Sequence, residues 1–155
     1  MRLMKWTPAM SVGVPELDAD HRVLIKIINE LALNSENPAR TKVLRQCLYA
    51  LLRYAEFHFG REEKVMVACG FPAFDHHKEE HHAFTRQMQD LVRRFDEEVL
   101  PAAEIVNDEL HEYLKDWWSH RILIEDMAYR SYAEFNSEAR AAAKAFSASE
   151  IWWTS

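Results

Sequence analysis

The sequence predicts an all-α fold, an antiparallel up-down four-helix bundle with a short C-terminal helical extension. Three observations predict it. Apolar residues step by four and three through four successive segments, the spacing of one face of an α-helix. Short breaks join those segments, so consecutive helices run antiparallel. No segment alternates apolar and polar residues as a half-buried strand does, and only three Gly and five Pro interrupt a chain rich in Ala, Leu, Glu and Arg.

Residues 1–15 read as irregular, punctuated by Pro8, Gly13 and Pro15, with Trp6 and the Val12/Val14 pair covering one end of the core. The first helix is expected from about Glu16–Asp18 to Leu33, with the ladder Leu17, His21, Leu24, Ile28, Leu31; the stretch Asn34–Pro38 breaks it. The second is expected from about Ala39 to Cys69, with the ladder Leu44, Leu48, Leu51, Ala55, His58, Glu62, Val65. Cys69-Gly70-Phe71-Pro72 then makes a tight turn, because Gly suits the left-handed residue past a helix end and Pro suits the start of the next helix. The third helix is expected from Phe74 or Asp75 to Val99, with the ladder His77, His81, Phe84, Met88, Leu91, Phe95, and Pro101 ends that region. The fourth is expected from about Ala103 to Ala133. The bundle thus takes residues 1–133, and residues 134–155 form the extension. There Ser137 is placed to cap a short Ala-rich helix ending near Phe146. Ile151-Trp152-Trp153 makes an apolar tip that packs back on the bundle, the favoured reading, or docks another protein or a second copy.

At 155 residues the chain is one domain with ample length for a core. Its 19 Lys and Arg against 25 Asp and Glu, a net charge of −6, argue against nucleic acid or an anionic membrane as partner. No run of eighteen or more apolar residues could cross a membrane, and MRLMKWTPAM lacks the apolar centre of a signal peptide. Cys47 and Cys69 read as free thiols, and the expected location is cytoplasmic.

The ladders carry polar residues where Leu would be expected. A single histidine on an apolar face is usually a core residue bonded to its neighbours. Here His21, His58, Glu62, His77 and His81 all intrude on core positions. Burying an unpaired carboxylate costs several kcal/mol and each unbonded imidazole roughly 1–3. Total stability is only about 5–15 kcal/mol. Such a set must satisfy itself or hold a cation, and metal binding is the stronger reading. His76 and His82 point about 100° away from their neighbours in the ladder and read as solvated or supporting the pair from outside. His111 lies off the fourth ladder and is expected to be exposed. Imidazoles with a carboxylate suit iron, zinc, copper or nickel. Five or more donors exceed one tetrahedral zinc, so two metals sharing bridging carboxylates fit better. Carboxylate-rich di-iron bundles need two Glu-x-x-His motifs, and only Glu79 with His82 matches.

Several elements together carry a family resemblance. They are Val12-Gly13-Val14, Leu17-Asp18 ahead of His21, His58-Phe59 with Glu62-Glu63, Met66, Gly70-Phe71-Pro72, His77 with His81 and Phe84, and Asp116-Trp117 through Asp126 and Tyr129. Over about residues 6–130 the chain resembles the hemerythrin-like proteins, close to the single-domain bacterial hemerythrins. The resemblance implies two iron ions with bridging oxygen species and O₂ as a reversible ligand. It implies that His21 and His58 hold the iron with an open position, that His77 and His81 hold the other, and that Glu62 and Asp126 bridge them. Phe59, Met66, Trp117 and Ile122 would line or flank a dry O₂ pocket, in which exclusion of water protects the oxygenated state.

One position breaks the pattern. The family places a third histidine on the second iron, five residues before the bridging Asp126, and this chain has Arg121 there. A guanidinium does not deprotonate and cannot ligate. Three readings stay open. His120 could turn in, on an apolar ladder of Leu110, Tyr113, Trp117, His120, Ile124 and Met127, at the cost of rotating Asp126 by about 100°. The second iron could keep only His77, His81 and the bridges, the favoured reading. Or the site is altered or lost. Repulsion from metal should swing Arg121 outward or pair it with an acid such as Glu125. Weakened iron retention or faster autoxidation than the family norm follows.

Three functions compete at this stage. A carrier, store or scavenger of O₂ is favoured. An oxidase, peroxidase or nitric-oxide-handling enzyme is the alternative. An oxygen- or iron-sensing interaction module using residues 134–155 is the third, lowered by the absence of any attached signalling domain.

Overall fold

The computed structural model describes residues 3–35, 41–97 and 105–146. Among these, four long helical runs build the bundle: α1 (Pro15–Asn34), α2 (Thr41–Ala68), α3 (Phe74–Asp96) and α4 (Asp108–His120) with the turns that continue it to Ala133. The breaks expected at residues 36–38, Val99 and Pro101, the starts at Ala39 and Ala103, and the Ile151-Trp152-Trp153 tip lie outside the described residues.

Polar contacts between helices fix their directions. The start of α1 meets the end of α2, where the Arg61 guanidinium donates to the Glu16 carbonyl at 3.2 Å. The start of α2 meets the end of α3, where Arg45 Nε donates to Asp96 at 2.7 Å and the Tyr49 hydroxyl donates to the same carboxylate. Lower on α3, the Tyr113 hydroxyl of α4 reaches Gln87 at 2.5 Å, whereas farther along the same run Arg121 reaches Glu80. Successive helices are therefore antiparallel, as expected.

The ends of the helices follow local chemistry. Pro15 fills the first turn of α1, where its missing N–H costs nothing. Gly70, at φ +66°, ends α2: Phe71 N bonds the Met66 carbonyl at 3.0 Å and Gly70 N bonds that of Val67 at 3.2 Å. Phe71 then packs in the same apolar cluster as Met66, completing a Schellman end. Pro72 stands in the link, ahead of the first turn of α3 at Phe74. The Asn107 side chain caps α4 by accepting from Leu110 N at 2.9 Å.

The fourth run departs most from expectation. It starts at Asp108 and is not one regular helix to Ala133. A π-helical turn over Arg121–Glu125 and a 3₁₀ turn over Asp126–Tyr129 precede the short α5 (Arg130–Ala133). Its buried face is Leu110, His111, Leu114, Trp118, Arg121, Ile122, Asp126 and Tyr129. The ladder through Tyr113, Trp117, His120, Ile124 and Met127 is instead the flank of the helix, with His120 and Ile124 exposed. His111, expected to be exposed, is buried, and burial pushes its imidazole pKa down.

Two apolar clusters form. The larger runs from Leu24 through Leu31, Leu44, Leu48, Met88 and Phe95 to Trp118 and Ile122. The smaller caps the opposite end with Val12, Val14, Leu17, Val65, Met66, Phe71 and Tyr129. Val12 and Val14 cover this end as expected, whereas Trp6 packs against the larger cluster. The last helix, α6 (Ser137–Ala145), buries Ala139 and Ala143 in the cap and packs on α2, with Phe146 against Phe57 at 5.3 Å between ring centroids. Asn136, not Ser137, caps it, accepting from Ala139 N at 2.8 Å. Cys47 and Cys69 are free thiols. No helix among the described residues is long and apolar enough to cross a membrane.

The two positive-φ glycines differ in surroundings. A Cβ on Gly70 would meet nothing within 4 Å, whereas one on Gly13, at φ +78°, would lie 2.6 Å from Glu134 Cγ. Gly70→Ala should therefore cost about 1–2 kcal/mol, the left-handed penalty alone. Gly13→Ala should cost about 2–4 kcal/mol, because steric crowding adds to it. Urea denaturation of the two variants checks the order.

Candidate metal centre

Between the two apolar clusters lies a polar layer. Its members sit on all four helical runs because each ladder carries its intruding residue at the same height: His21 on α1, His58 and Glu62 on α2, His77 and His81 on α3, Asp126 on the continuation of α4. All six are buried.

Glu62 is the hub. Its Oε1 lies 2.5 Å from His77 Nε2 and 2.9 Å from His81 Nε2. Its Oε2 lies 3.0 Å from His58 Nε2 and 4.0 Å from His21 Nε2, and accepts a hydrogen bond from the Tyr129 hydroxyl at 3.2 Å. Asp126 faces Glu62 with the same division of labour, Oδ2 lying 3.0 Å from His21 Nε2 and Oδ1 3.1 Å from His77 Nε2. His21, His58, Glu62, His77 and His81 therefore converge as the ladders require, and Asp126 joins them from the fourth run.

A second ring of acids aims the imidazoles. His58 Nδ1 donates to Asp20 at 3.0 Å, and His81 Nδ1 donates to Glu63 at 3.0 Å. A carboxylate can only accept, so these contacts put the proton on Nδ1 and turn Nε2 inward as a lone-pair donor. Asp20 is itself held by the Tyr54 hydroxyl at 3.1 Å and by Arg61 at 3.3 Å. The sequence reading assigned Asp20, Glu63 and Tyr129 no role here. Asp20 carried a usable signal: it precedes His21 by one residue, which turns it about 100° toward α2.

These residues can hold cations. His21, His58, Glu62 and Asp126 offer donor atoms all within 4.8 Å of one another, and so do Glu62, His77 and His81. Nε2 of His21 and Nε2 of His58 each face a carboxylate oxygen at 3.0 Å, yet these atoms, Nδ1 of His21 and both oxygens of Asp126 are buried and make no well-aligned hydrogen bond among the described residues. Such orphaned donors fit a metal ion better than a self-satisfied polar core. The four-donor half fits an iron of imidazole–carboxylate type. The three-donor half fits it less completely, with one donor fewer and the Arg121 guanidinium 3.5 Å from Asp126 beside it.

Arg121 does not swing outward. Its side chain is 2% exposed, and Nη1 donates to Glu80 at 2.7 Å. The acid that pairs with it is thus Glu80 of α3, not Glu125. His120 does not turn in; it is exposed and bonds Glu125 at 3.1 Å. Of the expected pocket residues, Phe59 stacks on His81 with ring centroids 3.9 Å apart. Ile122 is fully buried in the larger cluster and Met66 in the cap. Trp117 is half-buried and stacks on Phe84 at 4.2 Å. Trp118, not foreseen, is fully buried and stacks on Phe59 at 5.6 Å between ring centroids. Its signal was the four-residue step Leu110, Leu114, Trp118. His76 and His82 are exposed, as are Glu79 and its motif.

Burial alone would push the His58 imidazole pKa down, but Asp20 and Glu62 on its two nitrogens outweigh this and raise it to about 10. For His77, burial is likewise outweighed, by Asp126 and Glu62, which raise it to about 9. Burial would raise Glu62; the facing imidazoles, His58 foremost, hold it well below the usual carboxylate range.

The chain matches the family model of the hemerythrin HHE cation binding domain over residues 12–133. It is 29% identical to a bacteriohemerythrin of Stenotrophomonas maltophilia over 129 residues, 83% of this chain and 80% of that one. It is 30% identical to a bacteriohemerythrin of Methylococcus capsulatus over 131 residues, 83% of this chain and 95% of that one. The crystal structure of a wild-type hemerythrin superposes with a TM-score of 0.78 at 26% identity, covering 86% of this chain and 99% of that one.

The raised imidazoles set a sign for pH. Protons held on His58 and His77 stabilise the metal-free fold fully below the unfolded imidazole pKa, about 6.5. That stabilisation is lost as pH rises through about 9 and 10, the folded values. The urea midpoint of metal-free protein should therefore fall between about pH 6.5 and 10, and an added divalent metal, which replaces those protons, should suppress the fall.

Proposed function

The chain belongs to the hemerythrin HHE cation-binding family, and we propose that it binds O₂ reversibly at a pair of non-haem irons. His21 and His58 would hold one iron, His77 and His81 the other, and Glu62 and Asp126 would bridge them. The observation that carries this reading is the pair of buried donor groups sharing one carboxylate, Glu62. Bound ferrous iron would supply the electrons for reversible binding of O₂.

The chain's own residues then have separable tasks. Asp20 and Glu63 keep the Nε2 atoms of His58 and His81 turned inward. Phe59, Trp118 and Ile122 exclude water from one side of the layer and Met66 with Leu17 and Val65 from the other. A dry surround disfavours the protonation that ends an oxygenated state. Tyr129, buried with its hydroxyl on Glu62, has a pKa driven well above the usual phenol by burial and by the two nearby carboxylates, so it stays a donor. It therefore fixes Glu62 without competing for metal.

Protein reduced without air in excess ferrous iron should gain a visible absorption band when O₂ enters and lose it under argon, through repeated cycles. Glu62→Leu should retain less than about a tenth of the iron, since both halves lose a donor at once. Continuous O₂ consumption with a reductant, in place of a stable band, would mark an oxidase and sink the carrier reading.

A further inference from the structure

Each carboxylate of the centre turns one oxygen to each histidine pair, yet the two halves are not alike. The His21/His58 half gathers four donors, with Glu62 and Asp126; the other gathers three, Glu62, His77 and His81. In the second half the Arg121 guanidinium is close by. Its Nε lies 3.5 Å from Asp126 Oδ1 and is buried without a hydrogen-bond partner. Its Nη2 donates to the His77 carbonyl at 3.4 Å, and its Nη1 is taken by Glu80. Asp126 Oδ1 is also the oxygen beside His77, so guanidinium and metal would draw on the same lone pairs. A guanidinium stays charged in proteins and offers no lone pair. It repels a cation a few ångströms away, and burial weakens screening.

The second half also lies nearer the surface, although His77 and His81 are themselves buried. A surface cleft of about 220 Å³ is lined by Phe59, Glu63, His81 and His82, on the outer side of the second half. His21 and His58, in the first half, are wholly buried.

We propose that the two halves bind divalent metal unequally. The His21/His58 half fills first and keeps its ion. The His77/His81 half takes a second ion weakly and exchanges it readily, because it has one donor fewer and the buried Arg121 guanidinium beside Asp126 supplies charge that the second cation would bring. This rests on the metal-centre reading above, not on O₂ binding.

The test is anaerobic titration of chelator-stripped full-length protein with Co²⁺, followed by calorimetry and by metal analysis after desalting. Expected are one retained ion per chain and two binding steps differing about tenfold or more. His81→Ala should remove the weak step and leave the tight one within a few-fold; His58→Ala should remove the tight one. Arg121→His should retain two ions, and Arg121→Lys one. Two equal tight ions in the unaltered protein, or a tight step that disappears in His81→Ala and survives in His58→Ala, overturns the inference but leaves the metal centre standing. No retained ion overturns both. If Arg121→His fails to fold, the unaltered protein and His81→Ala decide.

Discussion

A wholly buried carboxylate must be satisfied from every side, and Glu62 sets the terms for the rest of the molecule. Three imidazole nitrogens lie within hydrogen-bonding distance of its two oxygens, and a tyrosine hydroxyl donates to one of them. Taking such a charge out of water costs several kcal/mol unless its partners are held in place. The partners come from α2, α3 and the fourth run, and His21 of α1 stands 4.0 Å from the same carboxylate, so all four must arrive at one height and in one rotation. That requirement fixes the helix register more tightly than the apolar ladders do, since a ladder tolerates repacking and a charge does not.

Apolar clusters close the polar layer on both sides. One is the ordinary bundle core. The other is assembled from distant pieces of chain, Val12 and Val14 from the arm before α1, Phe71 from the turn after α2, Tyr129 and Ala133 from the fourth run, and Ala139 and Ala143 from α6. Asp18 fastens the arm by accepting from Ser11 Oγ at 2.6 Å and Val12 N at 2.9 Å. Arg130 joins the same arm to the last run, donating to the Ser11 carbonyl at 2.8 Å while pairing with Glu134. Both ends of the described chain thus serve the site by keeping water from it.

The fourth run shows how backbone geometry selects which residues face the layer. In a regular α-helix residues five apart point about 140° away from each other. The π-helical turn over Arg121–Glu125 brings Arg121 and Asp126 round to the same buried side, with Ile122 between the layer and the core. Single π turns inside α-helices recur at functional sites for this reason. The ladder through Trp117 and His120 already runs along the flank within the regular α4, where Leu110, Leu114 and Trp118 make the buried face, and so the buried Trp118 was missed.

Helix number, their antiparallel order, the Gly70 turn and the meeting of His21, His58, Glu62, His77 and His81 were legible in the sequence, because helical periodicity places residues four apart on one face wherever the helix goes. So was the departure at Arg121, since a residue type that cannot ligate stands out by chemistry alone. Only the tertiary structure decided that Arg121 stays inside, with Glu80 as its partner, and that His120 remains outside. It also decided that Asp20 and Glu63 aim the imidazoles, and that α6 closes the cap through Asn136 and its buried alanines. Those outcomes depend on which neighbours a side chain meets across helices and on one irregular turn, and neither leaves a period in the chain to be read.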